Sequence, residues 1–544
     1  MGPRQTTGGP LPWNRGGLVT KVGFGVFVMK KSTTQSLRPF AALSAFNVAA
    51  FCAMLAGCNV GPKYLPPAMT APAAFKESPT QSKETDGWTV AQPQDAVLRG
   101  KWWEIYNEPD LNSLEDELNI DNQNIRQAFE NFMEARAMVR EARSQYFPTV
   151  SIGGSYTRSQ TSSNVGSATS SGTSGGKQTQ VFSLPADVSW EPDLWGKVRN
   201  TVRASQYNAQ LTAADLENER LTEQASLAEY FFEIRGQDAL QKLLDDTVEA
   251  DKKALEAVRA AYNTGVGDQI SVVEAQTTFE SAQSAAINLG IARSQYENAI
   301  ATLIGKTAST FSIPVEPKTS APPPIPVGLP SQLLERRPDI AAAERNMAAA
   351  NAQIGVARAA FYPALTLSAT GGVESSAIKN LLDWPSRFWS VGPSISETVY
   401  DGGLRRATVN QYIAIYNANV AAYRQSVLTA FQQVEDSLAA VRILSQQILR
   451  QQEAVDSSRT FLRLESTRYD SGIDPYIDVV TAQTTVLANQ QSLVNLQVQE
   501  MTASVQLIEA LGGGWDRSEL PTPTQVTQAP SKKATMMSGA TIQQ

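Results

Sequence analysis

The sequence predicts an α+β membrane protein in which one unit, made of a helix, two strands, a long helix and a further helix, occurs twice. Three observations predict this fold class. The two halves of the chain match each other at an offset of 215 residues, which falls to 207 or 208 further along. Each half has a helical heptad pattern, followed by segments that alternate between apolar and small polar residues. A repeat of this kind determines the architecture, because each copy is expected to fold into the same unit.

The first element of each unit is a helix. Its apolar residues are spaced alternately three and four apart, which is the seam of a helix that packs as in a coiled coil. The seams correspond one to one: Ile125, Ala128, Phe132, Ala135, Val139 and Ala142 match Ile340, Ala343, Met347, Ala350, Ile354 and Ala357. Each helix is expected to end before a proline, Pro148 or Pro363, because proline cannot continue helical hydrogen bonding.

Two strands follow each helix. Residues 149–157 and 365–370 alternate between apolar side chains and Ser, Thr or Gly, and return strands are expected at 182–190 and, with weaker alternation, at 388–400. Segments of this period and length are typical of a membrane β-barrel, although one such strand could also belong to a half-exposed soluble sheet. The polar stretch at 159–180 is expected to be an exposed loop.

The long helices are predicted at 197–262 and 404–469, where Gly236 is the only glycine and no proline occurs. A helix of this length would extend about 100 Å, which favours a coiled coil over a globular helix. Each long helix ends in a glycine-bearing turn, at 262–268 in the first half and at 469–475 in the second. A further helix follows each turn.

The N-terminus predicts export from the cytoplasm. A basic start at Met29 precedes an apolar stretch at 41–55, so a signal peptide is expected at 29–57. Residues 1–28 would then lie upstream of the true start codon, and 1–57 would form the leader. Because the body of the chain lacks a long apolar run, no transmembrane helix is expected there.

The end of the signal peptide predicts a lipid anchor. Residues 55–58 are Leu-Ala-Gly-Cys and resemble a bacterial lipobox, in which the cysteine is acylated and becomes the first mature residue. Cys58 is therefore the predicted lipidation site, with fatty acyl chains such as palmitate as the anchor. The alternative is an ordinary secretory signal followed by a chance cysteine.

Composition excludes several functions. The chain has 544 residues, a formal net charge of -7 and no histidine. A Ser-His-Asp triad and a histidine-containing zinc site are therefore impossible, and no catalytic site, metal site or cofactor is predicted. With an acidic balance and no basic cluster along the sequence, nucleic-acid binding is not expected.

The strand number predicts association of several chains. Two hairpins supply four strands, whereas single-chain barrels need at least eight, and open strand edges are not tolerated in lipid. Three copies would supply twelve strands, so the expected assembly is a trimer with a 12-stranded β-barrel continued by an α-helical coiled-coil barrel. The predicted segments after the leader are a lipidated N-terminal segment at 58–103, a first repeat at 104–320, a second repeat at 321–515 and a disordered tail at 516–544.

Several motifs carry a resemblance to a known family. They are Val60-Gly61-Pro62-Lys63-Tyr64, Val327-Gly328-Leu329-Pro330-Ser331, Arg336-Arg337-Pro338-Asp339-Ile340 and Tyr400-Asp401-Gly402-Gly403. Together with the duplication and the lipobox, they resemble the TolC-like outer-membrane factors, in the lipoprotein branch (NodT type) of resistance-nodulation-division efflux systems. The resemblance covers residues 58 to about 515.

The resemblance implies a function. A family member would be a homotrimer, lipid-anchored in the outer membrane of a Gram-negative bacterium and extending into the periplasm. It would act as the exit duct of a tripartite efflux system and export small molecules passively. Its partners would be a periplasmic adaptor protein, an inner-membrane pump and the lipid of the outer membrane, and it would not be an enzyme.

The two glycine turns are the predicted periplasmic tips. Gly265 and Val266 in the first half, and Gly472 and Ile473 in the second, are expected to contact the adaptor. The glycines can also end the preceding helices by adopting the left-handed conformation. Both roles are expected together.

The helix after the second turn is expected to carry a constriction. The family pattern is an apolar residue, an acid four residues later and often an arginine three residues further, whereas this chain has Ile477, Thr481 and Thr484. The apolar residue is kept and the charged pair is missing. Asp474 and Asp478 could supply an acidic ring instead, or Asp474 could be a helix N-cap and Asp478 a partner of the helix dipole.

Three alternative functions belong to other classes. A TolC-like channel for type I protein secretion would have the same fold, although the lipobox and the motif at 336–340 favour the small-molecule branch. A coiled-coil surface protein would explain the heptads but not the duplicated strand pairs. An enzyme is disfavoured because histidine, a cysteine after Cys58 and a phosphate-binding glycine loop are all absent, although chemistry by Asp and Glu stays open.

Overall fold

The computed structural model describes residues 59–67, 72, 75–77, 100–160, 162, 178–325 and 330–528. The leader, Cys58 and residues 529–544 lie outside the described residues, as does most of the predicted loop at 159–180. What the sequence predicts for the leader and for the lipidated cysteine therefore stays a prediction.

The duplicated unit is present in the predicted order. The first half comprises α1 (Pro109–Asp121), α2 (Gln123–Ser144), β1 (Thr149–Ile152), β2 (Ser155–Gln160), β3 (Gln178–Trp190), α3 (Lys197–Asn263) and α4 (Gln269–Leu303). The second half and the segment after it comprise α5 (Leu333–Arg336), α6 (Pro338–Ala359), β4 (Ala364–Ser375), β5 (Arg387–Ser396), α7 (Leu404–Asp470), α8 (Tyr476–Ala510) and α9 (Pro523–Thr527).

The long helices α3 and α7 have 67 residues each, so both extend about 100 Å. Helix α3 packs against α2, α4, α6 and α8, and α7 packs against α6 and α8. Gly236 lies where α3 approaches α8: a Cβ atom at this position would be 2.3 Å from Cγ2 of Val498. Among the described helices, none has both the length and the apolar character needed to span a bilayer.

The strands form one antiparallel sheet. β3 lies between β4 and the pair β1 and β2, and β4 lies between β3 and β5. The two predicted hairpins are therefore joined through β3 and β4. At each side of the sheet an edge strand has a neighbour on one side only among the described strands, β1 with β2 at one edge and β5 at the other.

The register separates an apolar face from a polar face. Directly paired residues of adjacent strands share a face, and one such row is Val150, Val188, Ala369 and Val391. The neighbouring row, on the opposite face, is Ser151, Asp187, Thr370 and Ser390. Within this polar row the hydroxyl of Thr370 donates to Oδ1 of Asp187 at 2.7 Å. The alternation predicted from the sequence thus extends across the whole sheet.

The first strand differs from the prediction, because it is interrupted inside 149–157. The break falls at Gly153, which lies opposite a proline of β3. The amide of Gly153 donates to the carbonyl oxygen of Pro185 at 3.0 Å, but Pro185 has no N–H to donate in return. One half of the local hydrogen-bond ladder is therefore lost, and the strand divides into β1 and β2.

The last strand is shorter than predicted, since it ends at Ser396 and not at residue 400. Ser396 pairs with Ala364, the first residue of β4. The residue before Ala364 is Pro363, which has no amide hydrogen to extend the ladder. Residues 397–400 therefore lie outside the sheet.

The main core lies at the level where the N-terminal segment meets the first long helix. A short 3-10 helix, Trp102–Tyr106, buries both of its tryptophans against α3 and α8. The indole Nε1 of Trp102 donates to the side-chain oxygen of Gln224 at 3.2 Å. Phe231 of α3 is fully buried in the same cluster.

The tail differs from the prediction of disorder from residue 516, because the described part to 528 is ordered. Val526 of α9 is fully buried in a cluster with residues of α2 and α3. Nη2 of Arg136 in α2 donates to the carbonyl oxygen of Gln528 at 2.6 Å. The side-chain amide of Gln210 donates to the carbonyl oxygen of Pro521 at 2.8 Å. The prediction rested on the polar composition of 516–544 and did not take account of Val526, whose burial holds this segment against the helices.

Candidate functional site

The two glycine turns, at 262–268 and 469–475, close helices α3 and α7 in the same way. Gly265 and Gly472 have φ values of 78° and 71°. The amide of Gly265 donates to the oxygen of Tyr262 at 2.9 Å, and the amide of Val266 donates to that of Ala261 at 3.0 Å. The corresponding bonds at Gly472 and Ile473 are 2.8 and 3.0 Å. These pairs of bonds define a Schellman motif, so the capping role expected of both glycines is confirmed.

The apolar residues that follow the capping glycines face solvent in the single chain. Val266 is 86% exposed and Ile473 is 65% exposed. Each lies at the end of a helix about 100 Å long, on a turn held rigid by two backbone hydrogen bonds. An apolar side chain presented in this way is available to a partner.

The helices after the two turns begin differently. Asp268 is the N-cap of α4, where its carboxylate accepts from the amide of Ser271 at 2.7 Å, and this hydrogen bond lowers the pKa of Asp268. The N-cap of α8 is Pro475, which has no capping side chain. The expectation that Asp474 is an N-cap is therefore wrong.

Asp474 forms an ion pair across the second turn instead. Nη2 of Arg468 donates to Oδ1 of Asp474 at 2.9 Å, and Nε of Arg468 donates to Oδ2. Because the pairing favours both charged forms, it lowers the pKa of Asp474 and raises the pKa of Arg468. Asp474 is thus held in its charged form by a partner from the preceding helix.

A carboxylate cluster surrounds this ion pair. Oxygen atoms of Glu465, Asp474 and Asp478 lie within 4.8 Å of one another. Desolvation raises the pKa of Glu465, and the neighbouring charge of Asp474 raises it further. The structure therefore brings Asp474 and Asp478 together and adds Glu465 and Arg468, which the sequence analysis missed. Their proximity could have been predicted, because Glu465 and Arg468 lie in the last two turns of α7, directly across the turn from Asp474 and Asp478.

The remaining constriction candidates lie on the first turns of α8. Ile477 is partly exposed, and the hydroxyl of Thr481 donates to the carbonyl oxygen of Ile477 at 2.9 Å. Ile477 and Thr481 are one helical turn apart, at i and i+4, and therefore lie on the same face of α8.

Just beneath these residues, an apolar cluster joins the two helical hairpins near their tips. Leu255 and Val258 of α3 pack with Tyr476 and Val479 of α8. Asp251 lies on α3 one turn before Leu255 and is buried. Burial raises the pKa of this carboxyl group to about 6.

At the opposite end of the helices, aromatic residues connect the sheet to the helical part. The indole of Trp190 donates to the carbonyl oxygen of Tyr146 at 3.0 Å. The indole of Trp195 donates to the carbonyl oxygen of Pro363 at 2.7 Å. The ring of Trp195 stacks on Tyr362 with a centroid distance of 4.8 Å. Trp190 belongs to the apolar face of the sheet, because it pairs with Leu367. This junction is where apolar strand surface gives way to polar helix surface.

A sheet with one apolar and one polar face, continued by paired helices about 100 Å long, defines the class of outer-membrane channel proteins with a periplasmic helical part. The family described as outer membrane efflux protein matches residues 114–306 and 329–513, one match in each half. The chain belongs to this family. It is therefore an outer-membrane protein of a Gram-negative bacterium and the outer-membrane component of an efflux system.

Individual relatives agree with this assignment. The solvent efflux pump outer membrane protein SrpC of Pseudomonas putida is 31% identical over 467 residues, which cover 86% of this chain and 97% of that protein. The outer membrane protein OprJ of Pseudomonas aeruginosa is 30% identical over 481 residues, covering 87% and 96%. Among solved structures, the outer-membrane channel OprN superimposes with a TM-score of 0.74 at 26% identity, over 84% of this chain and 100% of that chain.

Proposed function

We propose that three copies of this chain form a closed 12-stranded barrel continued by a periplasmic α-helical barrel, and that this tube is a passive exit duct. The observation that carries the proposal is the antiparallel sheet of β1 to β5, in which β1 and β2 share one of four strand positions; it is amphipathic across its width and has an edge at each side. Unpaired edges are not tolerated in lipid, so the edge β5 of one copy would pair with the edge formed by β1 and β2 of the next.

The duct would serve small molecules that an inner-membrane pump delivers through a periplasmic adaptor. The relatives support this substrate class, since SrpC is named for solvent efflux. The Ser and Thr residues of the polar face would line the lumen and would not select strongly among solutes. The test is efflux of a fluorescent small molecule and secretion of a reporter protein from a strain that lacks its own duct. Restored secretion without efflux would favour type I protein secretion instead.

The lipid anchor on Cys58 would insert beside the sheet. Asn59, the next residue, accepts from the amide of Asn200 at 2.9 Å, and the amide of Val60 donates to the carbonyl oxygen of Trp195 at 3.4 Å. Trp195 belongs to the aromatic junction between sheet and helices, so an acyl chain on Cys58 would start near the level where apolar surface begins. Mass spectrometry of the mature N-terminus tests this, with Cys58→Ala as the control that must lack the acyl mass.

The tips would contact the adaptor through Gly265, Val266, Gly472 and Ile473. Their supports are the exposure of Val266 and Ile473 and the rigid Schellman turns beneath them. Val266→Asp and Ile473→Asp should weaken cross-linking to the adaptor and lower efflux, while conductance of the purified duct stays unchanged in Val266→Asp, which lies away from the acidic cluster. Equal cross-linking in the variants would place the adaptor contact elsewhere.

The constriction would consist of Asp474, Ile477, Asp478 and Thr481. Three symmetry-related copies of the acidic cluster would make a narrow, negatively charged entrance that favours cations. The test is single-channel conductance of the purified protein in a planar bilayer, with Asp478→Ala and Ile477→Ala beside the wild type. We expect a small cation-selective conductance that rises in both variants.

The outcomes separate the duct from the gate. If the wild type conducts and both variants conduct equally, the duct proposal stands and the constriction lies at other residues. An assembled protein that never conducts, even in the variants, would reject the duct. Matched controls come from the first turn, where Val266→Ala changes the tip without touching the acidic cluster.

A further inference from the structure

An arginine-lined cleft lies beside the junction of sheet and helices, between α2, α3 and α9. Its volume is about 490 Å³. Arg143 and Tyr146 at the end of α2 form one wall, and Arg199 and Arg203 at the start of α3 form the second. The third wall is α9, the part of the tail that the sequence predicted to be disordered.

The cleft has positive charge that other side chains do not neutralise. Arg199 is held by Asp193, whose Oδ2 lies 3.1 Å from its Nε. Arg143 and Arg203 are exposed and have no ion-pair partner among the described residues. Two arginines thus remain available to an anion, and the planar guanidinium group suits phosphate oxygens in particular.

The position of the cleft sets the kind of anion. Strand β1 starts three residues after Tyr146, and Arg203 lies only about 9 Å along α3 from its first residue. The carbonyl oxygen of Tyr146 accepts from Trp190, a residue of the apolar face of the sheet, so the end of α2 lies on the side that would face lipid. At this level the phosphates of the periplasmic leaflet are expected.

The walls are built by specific contacts and not by chance proximity. The side-chain amide of Gln206 donates to the carbonyl oxygen of Pro523 and to the hydroxyl of Thr527, both at 3.3 Å. Val526 is buried beneath them. The family match ends at residue 513, so the third wall is contributed by a segment outside the matched region.

We propose that this cleft binds the phosphate headgroup of an anionic phospholipid from the periplasmic leaflet of the outer membrane. Arg143 and Arg203 would hold the phosphate oxygens, and Tyr146 and the exposed Phe147 would lie against the glycerol and the first carbons of the acyl chains. A bound lipid would fix the tail against α2 and α3 at the membrane surface.

The test is native mass spectrometry of the full chain in detergent, titrated with phosphatidylglycerol, phosphatidylethanolamine and inorganic phosphate. We expect phosphatidylglycerol to bind more tightly than the other two probes. Because one arginine near an anionic surface contributes about 1 kcal/mol, each of Arg143→Gln and Arg203→Gln should weaken binding about fivefold, and the double variant about 25-fold.

The second repeat supplies the matched control. Arg358 corresponds to Arg143 at the offset of 215, is exposed, and lies in the last turn of α6 without a neighbouring tail helix. Arg358→Gln removes the same charge and should change phosphatidylglycerol binding less than twofold. Arg143→Lys and Arg203→Lys keep the charge but lose the planar guanidinium, so each should weaken binding less than the glutamine variant does, and circular dichroism of every variant checks the fold.

Two results would overturn the proposal. If Arg358→Gln weakens binding as much as Arg143→Gln, the effect is general surface electrostatics and the cleft is not a site. If inorganic phosphate binds as tightly as phosphatidylglycerol, the cleft takes a free anion and not a lipid headgroup.

Discussion

Replacing the buried carboxylate of Asp251 should stabilise the protein at neutral pH. Asp251 is 4% exposed, and its Oδ2 has no hydrogen-bond partner among the described residues. Tyr476 of α8 senses this charge: its pKa is raised to about 12 by burial and also by the charge of Asp251. Asp251→Asn keeps the size of the side chain and removes the charge.

The magnitude follows from the pKa of about 6, compared with 3.8 for an ordinary aspartate. Because the folded-state pKa is raised, the contribution to stability is full below pH 3.8 and is lost as the pH rises through 6. A difference of about 2 pKa units corresponds to about 3 kcal/mol. Asp251→Asn should therefore raise the free energy of unfolding by about 2 to 3 kcal/mol per chain at pH 8 and by little at pH 4.

The assay is thermal unfolding in detergent, followed by circular dichroism between pH 4 and pH 8. The wild type should lose stability relative to Asp251→Asn as the pH rises through 6. Asp245→Asn, which removes an exposed carboxylate six residues earlier on the same helix, is the control and should follow the wild type. If wild type and Asp251→Asn keep a constant difference across this range, the carboxyl group is hydrated or paired in the assembled protein and the reasoning is refuted.

Three further substitutions test the packing. Gly236→Ala should destabilise by about 1 to 3 kcal/mol, since its Cβ would lie 2.3 Å from Val498, and adding Val498→Ala should recover part of the loss in a denaturation curve. Val526→Asp should release the tail, seen as faster proteolysis after residue 515, while the duct still conducts. Trp102→Ala should cost about 3 to 5 kcal/mol in the unfolding free energy, because it empties the largest buried site and leaves Gln224 without its donor. A neutral result for any of the three would contradict the contact that it removes.

The duplicated fold could be predicted because its signals are local and repeated. Heptad spacing in α2 and α6, the lack of proline in α3 and α7, and alternation in the strands each come from short-range geometry. The strand ends could not be predicted as well, because they depend on pairing across the sheet. Pro185 lies on β3 and interrupts the opposite strand between β1 and β2. Pro363 lies just before β4 and limits the length of β5, which pairs with β4.

The site was harder to predict because it depends on tertiary contacts. An aspartate before a helix ordinarily suggests an N-cap, but Arg468 binds Asp474 from the preceding helix and Pro475 occupies the N-cap position. The arginine cleft was missed for the same reason. Arg143 and Arg203 are 60 residues apart, so no basic cluster appears along the sequence, and the tail that completes the cleft is held by one buried valine.

Comparison of the two turns explains why a constriction would lie at the second. At the offset of 207, the charged residues Glu465, Arg468, Asp474 and Asp478 correspond to Val258, Ala261, Gly267 and Ser271. The backbone of the two turns is the same, since both are Schellman motifs. The first copy uses Asp268 to cap its helix, whereas the second gives up that cap for Pro475 and places its carboxylates around Arg468.

The two turns therefore share a backbone conformation but differ in their side-chain chemistry. The first turn is followed by a helix with a side-chain cap, Asp268, and its buried Val258 packs in the apolar cluster near the tips. The second turn has the ion pair of Arg468 with Asp474, with the carboxylates of Glu465 and Asp478 close to it. Arg468→Ala should therefore change duct conductance while the turn keeps its fold, because the Schellman bonds do not involve the side chain. Ala261→Arg in the first turn should leave conductance unchanged, since Gly267 offers it no carboxylate.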